Sequence, residues 1–107
     1  MYYEMRMYTP LKGKLTDYAE VFHTYPKPVF EKLGAKVLGE WAVDGSEQPA
    51  FVYLLAFQDQ AHRTEVFAKL REFPEMREYG PQRAQLIDPH IADANWLLTP
   101  LAHSALT

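Results

Sequence analysis

Residues 2–8 alternate: Tyr3, Met5 and Met7 fall on one face, and Tyr2, Glu4, Arg6 and Tyr8 on the other. Period two over this length predicts a strand. Thr9-Pro10 ends it. A three-and-four spacing then takes over at Leu15, Tyr18, Ala19, Phe22 and Tyr25, and continues through Val29, Phe30 and Leu33. This is the apolar stripe of a helix, with Thr16 as expected N-cap and Asp17 in the first turn. Pro26 and Pro28 sit inside the stripe and cannot donate backbone hydrogen bonds, so the helix must kink or restart there. Gly34 suits the C-terminal cap.

Residues 35–43 predict a second strand, with Val37, Gly39, Trp41 and Val43 on one face and Lys36, Leu38, Glu40 and Ala42 on the other. The turn-formers of 44–49 lead to a third strand at 51–57, apolar on both faces, and the two read as a hairpin. Asp59 is placed to cap a second helix over 60–73 that buries Val66, Phe67, Leu70 and Phe73. Pro74 is expected to end that helix and open a short turn through Tyr79. Gly80-Pro81 should break the chain again before a further turn at 82–87. Residues 95–99 predict the last strand.

Strand, helix, strand, strand, helix, strand is an α+β, ferredoxin-like βαββαβ order: one four-stranded antiparallel sheet with both crossover helices on one face. The other face has a surface of roughly 350 Å². It carries the third strand's second apolar row and is expected to be covered by a second copy of the chain, giving a homodimer.

The chain has 107 residues, enough for one domain. Its net charge of −3 and lack of any basic stripe leave nucleic acid without an electrostatic footing. Cysteine is absent, which removes disulfides, thiolate metal ligands and thiol nucleophiles. The longest apolar run, 51–57, is too short to cross a bilayer. Charges at Glu4 and Arg6 interrupt the stretch a leader peptide would need. A cytoplasmic protein without membrane contact is the expectation.

With the elements in place, several segments resemble a known family. Tyr3-Glu4-Met5-Arg6-Met7-Tyr8 resembles its Tyr-Glu-Leu-Arg-x-Tyr start. Gly34-Ala35-Lys36-Val37-Leu38-Gly39-Glu40-Trp41 resembles its Gly-x-Trp-bearing strand. Leu54-Leu55-Ala56-Phe57-Gln58-Asp59-Gln60-Ala61-His62-Arg63 resembles its strand followed by an Arg-bearing helix start, and Phe73-Pro74-Glu75-Met76 its Asp-Pro-Glu-Trp segment. The family is NIPSNAP. Met76 stands where an aromatic is usual and Phe57 where a tyrosine is common. The resemblance implies a dimeric α/β barrel closed by two sheets, and supplies no catalytic residues to carry over. The wider superfamily includes cofactor-free monooxygenases, haem-degrading enzymes and small isomerases, an analogy at the level of fold.

Six residues stand out as candidates for lining a ligand pocket. Arg6 and Tyr8 share the polar face of the first strand with Glu4. Arg6 is suited to clamp an anion or carbonyl and Glu4 to act as a base, or the two form a structural ion pair. His23, beside the proline kink, has the chemistry of a general base or an axial haem ligand, or is a half-exposed helix-edge histidine. Trp41 and Tyr53 are placed to wall a cavity between sheet and helices. Arg63 is expected either to meet a ligand carboxylate or to pair with Asp59 four residues earlier. His62, His90 and His103 have no metal-ligand spacing, so neither metal nor other cofactor is expected. Gly-rich phosphate loops and serine-nucleophile elbows are absent. Two functions remain: a dimeric domain binding a small apolar or aromatic ligand or a protein partner, and a cofactor-free monooxygenase or isomerase acting on an aromatic or enol-like substrate.

Overall fold

The computed structural model describes residues 1–107. Four strands, β1 (Tyr2–Tyr8), β2 (Lys36–Ala42), β3 (Phe51–Phe57) and β4 (Ala94–Leu98), form one antiparallel sheet in the order β2-β3-β1-β4. The helices α1 (Leu15–Thr24), α2 (Pro26–Lys32), α3 (Gln60–Leu70) and α4 (Pro74–Leu86) cover one face of it. The α+β ferredoxin-like arrangement is therefore present, with each crossover divided into two helices.

Proline places both divisions. Pro26 opens α2 at a position whose N–H no helix would use, and Pro74 opens α4 in the same way. The expected break at Gly80-Pro81 does not occur: α4 runs through Pro81 without interruption. Gly80 has no Cβ to collide with the proline ring, so the pre-proline residue keeps its helical conformation. Pro81 itself faces solvent, so the carbonyl it leaves without a helical partner is not buried. The second predicted helix is correspondingly shorter, ending at Leu70.

Caps divide unevenly. Asp59 accepts a hydrogen bond from the His62 backbone N–H at 2.8 Å and starts α3 as expected. Thr16 does not cap α1, because the helix already begins at Leu15 with Lys14 before it. Gly34 turns the chain out of α2 at φ +84°, a conformation that suits glycine alone.

Register assigns the faces. Tyr2, Glu4, Arg6 and Tyr8 of β1 lie beside Phe57, Leu55, Tyr53 and Phe51 of β3. These rows face the helices and meet Tyr18, Phe22, Phe30 and Val66 in the core. In β2 a bulge between Val37 and Gly39 shifts the alternation by one residue. Val37, Glu40 and Ala42 therefore face the helices, while Gly39 and Trp41 lie on the outer face beside Leu54 and Val52. The sequence pattern had put Val37 and Trp41 together, and a bulge is what period-two counting cannot see. The outer face also carries Met5 and Met7 of β1 and Trp96 and Leu98 of β4. Trp41 and Trp96 are about half exposed there, at 52% and 46%.

Candidate functional site

Glu4 anchors the site. Its position in β1 points its carboxylate under α3, where none of it reaches solvent. A buried carboxylate persists only if its oxygens are paired, and here they are. Arg6 Nη1 donates to Oε2 at 2.9 Å, and Arg63 donates through Nε to Oε1 at 2.9 Å and through Nη2 to Oε2 at 3.0 Å. Asn95 of β4 adds its side-chain N–H at 2.8 Å. Burial alone would raise the Glu4 pKa, but hydrogen bonds from Arg63 and Asn95 and the charges of Arg6 and Arg63 outweigh it and hold the carboxyl below its ordinary value. Arg63 thus pairs with Glu4 across the fold, and with neither Asp59 nor a position open to solvent.

Arg6 continues the network away from Glu4. Its Nε donates to the Tyr8 hydroxyl at 2.8 Å, and the Tyr8 and Tyr53 hydroxyls share a hydrogen bond of 2.9 Å. The Arg6 guanidinium lies 5.1 Å from the centre of the Phe67 ring, and that of Arg63 lies 4.9 Å from it, so Phe67 is a cation–π partner of both. Tyr53 is almost wholly buried, and burial with the neighbouring Tyr8 pushes its hydroxyl pKa well up.

Arg6, Tyr8 and Tyr53 open onto a cavity of about 300 Å³ between sheet and helices. Phe30 and Phe67 supply its apolar wall, and Met76, Tyr79 and Arg83 of α4 close its far side. Tyr79 shares a 2.6 Å hydrogen bond with the buried Tyr18 hydroxyl, and burial raises its pKa to about 12. Arg83 stacks 4.8 Å from the centre of the Tyr8 ring and pairs with Asp93 at the mouth.

The other two candidates lie elsewhere. His23 Nε2 meets Glu40 Oε1 at 2.8 Å in a groove between α1 and β2, at the sheet edge. Trp41 borders the same groove, and its ring lies over Gly39 on the outer face, so it does not wall the space between sheet and helices. Of the six candidates, Arg6, Tyr8 and Tyr53 converge on one cavity, Arg63 supports it from behind through Glu4, and His23 and Trp41 are separate from it. Met76, Tyr79, Arg83, Phe67 and Asn95 belong to the same constellation and were not singled out in the sequence. Met76, Tyr79 and Arg83 are spaced by three and four, so an unbroken α4 would have put them on one face.

A larger cavity, about 510 Å³, lies on the outer face under residues 98–106. Leu54, Leu98, Leu101 and Leu106 line it, and the Tyr3 hydroxyl donates to the Thr107 carbonyl at 3.0 Å beside it. Polar groups do not converge there as they do around Arg6. Histidine and carboxylate side chains form no cluster suited to a metal ion, and no helix is long and apolar enough to cross a membrane.

The NIPSNAP family model matches residues 3–104. Among solved structures, the chain is similar to an uncharacterized NIPSNAP domain protein from Burkholderia xenovorans, with 21% identity, a TM-score of 0.83, and coverage of 97% of this chain and 98% of that one. It is similar to a NIPSNAP family protein with unknown function from Agrobacterium tumefaciens, with 24% identity, a TM-score of 0.83, and coverage of 100% and 94%. More distantly it resembles SnoaB, a cofactor-independent oxygenase from Streptomyces nogalater, with 12% identity, a TM-score of 0.60, and coverage of 98% and 95%. No curated protein matches.

Proposed function

The chain belongs to the NIPSNAP family, and from that premise we propose that it is a homodimeric domain that binds a small aromatic ligand between its sheet and its helices. The observation that carries the ligand reading is the cavity of about 300 Å³ walled by Phe30, Phe67, Tyr8 and Tyr53 with Arg6 at one end. Ligand sites begin at about this size and combine mostly apolar walls with a few fixed polar groups. Here those groups are fixed: Arg6 is tied to Glu4 and Tyr8, and Tyr8 to Tyr53. The dimer reading rests on the outer face, where Trp41, Trp96 and Leu98 stand exposed beside Val52 and Met5.

The second reading, a cofactor-free oxygenase or isomerase, draws on the likeness in fold to the Streptomyces oxygenase. Such chemistry on an enol-like substrate starts with removal of a proton. The carboxylates near the cavity are poorly suited to take it, since Glu4 is held ionised by two guanidinium groups and Asp93 is engaged with Arg83. His23, the best-suited base by type, is at the sheet edge with Glu40. The geometry favours binding over proton abstraction.

Calorimetric titration with naphthoate and with naphthylmethanol tests the ligand reading. At least one should bind the wild-type chain, and Met76→Trp, which places an indole into the cavity, should abolish that binding while leaving the circular dichroism unchanged. Failure of both probes to bind, or full binding by the folded Met76→Trp variant, would overturn it.

A further inference from the structure

The cavity has more hydrogen-bond donors than acceptors. Arg6 at its wall and Arg63 behind it meet one carboxylate, Glu4, which leaves a surplus of one positive charge. Arg83 and Asp93 at the mouth offset each other. Of the five N–H groups of a guanidinium, Arg6 spends one on Tyr8 and one on Glu4, so the remainder have no protein acceptor.

The tyrosines extend the imbalance. Tyr8 and Tyr53 bring two hydroxyl protons to a single shared hydrogen bond. Tyr8 already accepts from Arg6, so whichever hydroxyl donates to the other, one O–H is left over at the cavity wall. Tyr18 and Tyr79 repeat the arrangement, with Tyr79 at the cavity. The carboxylate that lines this space, Asp93, is occupied by Arg83. Water can accept from these donors in the free protein, but a ligand that displaces it must bring acceptors of its own.

Building on the ligand reading above, we infer that the cavity selects a planar aromatic monoanion, with its carboxylate or phenolate oxygens accepting from Arg6 and the Tyr8–Tyr53 pair and its ring against the wall that Phe30 and Phe67 form together. A neutral aromatic alcohol of the same shape satisfies the walls and offers one acceptor oxygen, but leaves the charge and part of the donor surplus unmatched. A cation is disfavoured by the surplus positive charge.

The naphthoate and naphthylmethanol pair isolates this term, because the ring is common and only the anionic head differs. At pH 7 naphthoate should bind the wild-type chain at least about tenfold more tightly, a difference of about 1.4 kcal/mol. Arg6→Met should bring the two affinities together by weakening naphthoate alone; Glu4 keeps Arg63 and Asn95 in that variant. Tyr53→Phe retains the ring and every charge, and should weaken naphthoate severalfold and by more than naphthylmethanol, because a hydrogen bond to a charged acceptor is the stronger one. Equal binding of the two probes by the wild-type chain would overturn the selectivity for an anion while leaving the cavity itself in use. So would naphthoate binding unchanged in both variants. Absence of binding by either probe would instead sink the ligand reading on which this inference stands.

Discussion

Replacing Glu4 with glutamine tests the physical core of the site. The change keeps size and shape but removes the one negative charge that holds Arg6 and Arg63 together. The glutamine oxygen can occupy only one of the two carboxylate positions. If it takes the Oε2 position it keeps the contacts from Arg6, Arg63 Nη2 and Asn95, but its amide then faces Arg63 Nε, donor against donor. The opposite flip loses those contacts and keeps the Nε bond. Either way two like charges remain close with no counterion between them. Breaking a buried pair by removing one partner costs about 3–5 kcal/mol, out of a total stability of about 5–15 kcal/mol for a domain. At roughly 4 °C per kcal/mol for a chain of this size, the midpoint of thermal unfolding at pH 7 should fall by about 12–20 °C.

Acid supplies a second readout. The Glu4 pKa is held below its ordinary value in the folded chain, so the stabilisation is fully present above the unfolded value of about 4.3. It is lost as pH falls through the folded-state pKa, because the unfolded chain then binds the proton more readily. The gap between wild type and Glu4→Gln should therefore be widest near neutrality and close progressively below about pH 4. Thermal melts followed by circular dichroism across this range measure both effects. A fall of less than about 4 °C at pH 7, or a gap that stays constant down to pH 3, would refute the account of Glu4 as an ionised hub.

Two further predictions concern the outer face. A Cβ on Gly39 would lie 2.5 Å from the Trp41 ring, so Gly39→Ala should push the indole off the sheet. Because that ring is half exposed in a single chain, the cost should stay near about 1 kcal/mol, but Trp41 emission, read in a Trp96→Lys background that leaves one tryptophan and no covering copy, should shift to the red; unchanged emission would refute the close packing. The proposed dimer should sediment at micromolar concentration at about twice the 12.4 kDa chain mass, and Trp96→Lys, which puts a charge into the covered face, should return it to a monomer. A wild-type chain that sediments as a single 12.4 kDa species would end the dimer reading.

The elements were legible in the sequence because each is punctuated by a residue with a local physical effect. Pro26 and Pro74 start helices, Asp59 caps one, Gly34 turns out of one, and the alternation of β1 and the apolar run of β3 mark their strands to the residue. Two features were hidden, and both are displacements of phase rather than missing elements. The bulge at Leu38 moves Trp41 to the outer face, and the continuity of α4 through Pro81 brings Tyr79 and Arg83 into line with Met76. Phase errors matter little for fold and decisively for site, since a shift of one residue in a strand moves a side chain to the opposite surface.

The same reasoning explains why half of the site could be seen in advance. Glu4, Arg6 and Tyr8 lie on one strand, where period two alone places them together. Tyr53 is their neighbour by the antiparallel register of β1 and β3, directly opposite Arg6. Arg63, Asn95, Tyr79 and Arg83 reach the site from three other elements, and no local periodicity connects one of those elements to another. What brings Arg63 and Asn95 in is the cost of burying the Glu4 charge: a carboxylate on the helix-facing side of a central strand must gather donors from whatever packs over it. Glu4 is therefore more informative than any single candidate ligand contact, because its burial holds in place the two guanidinium groups whose surplus charge underlies the anion selectivity.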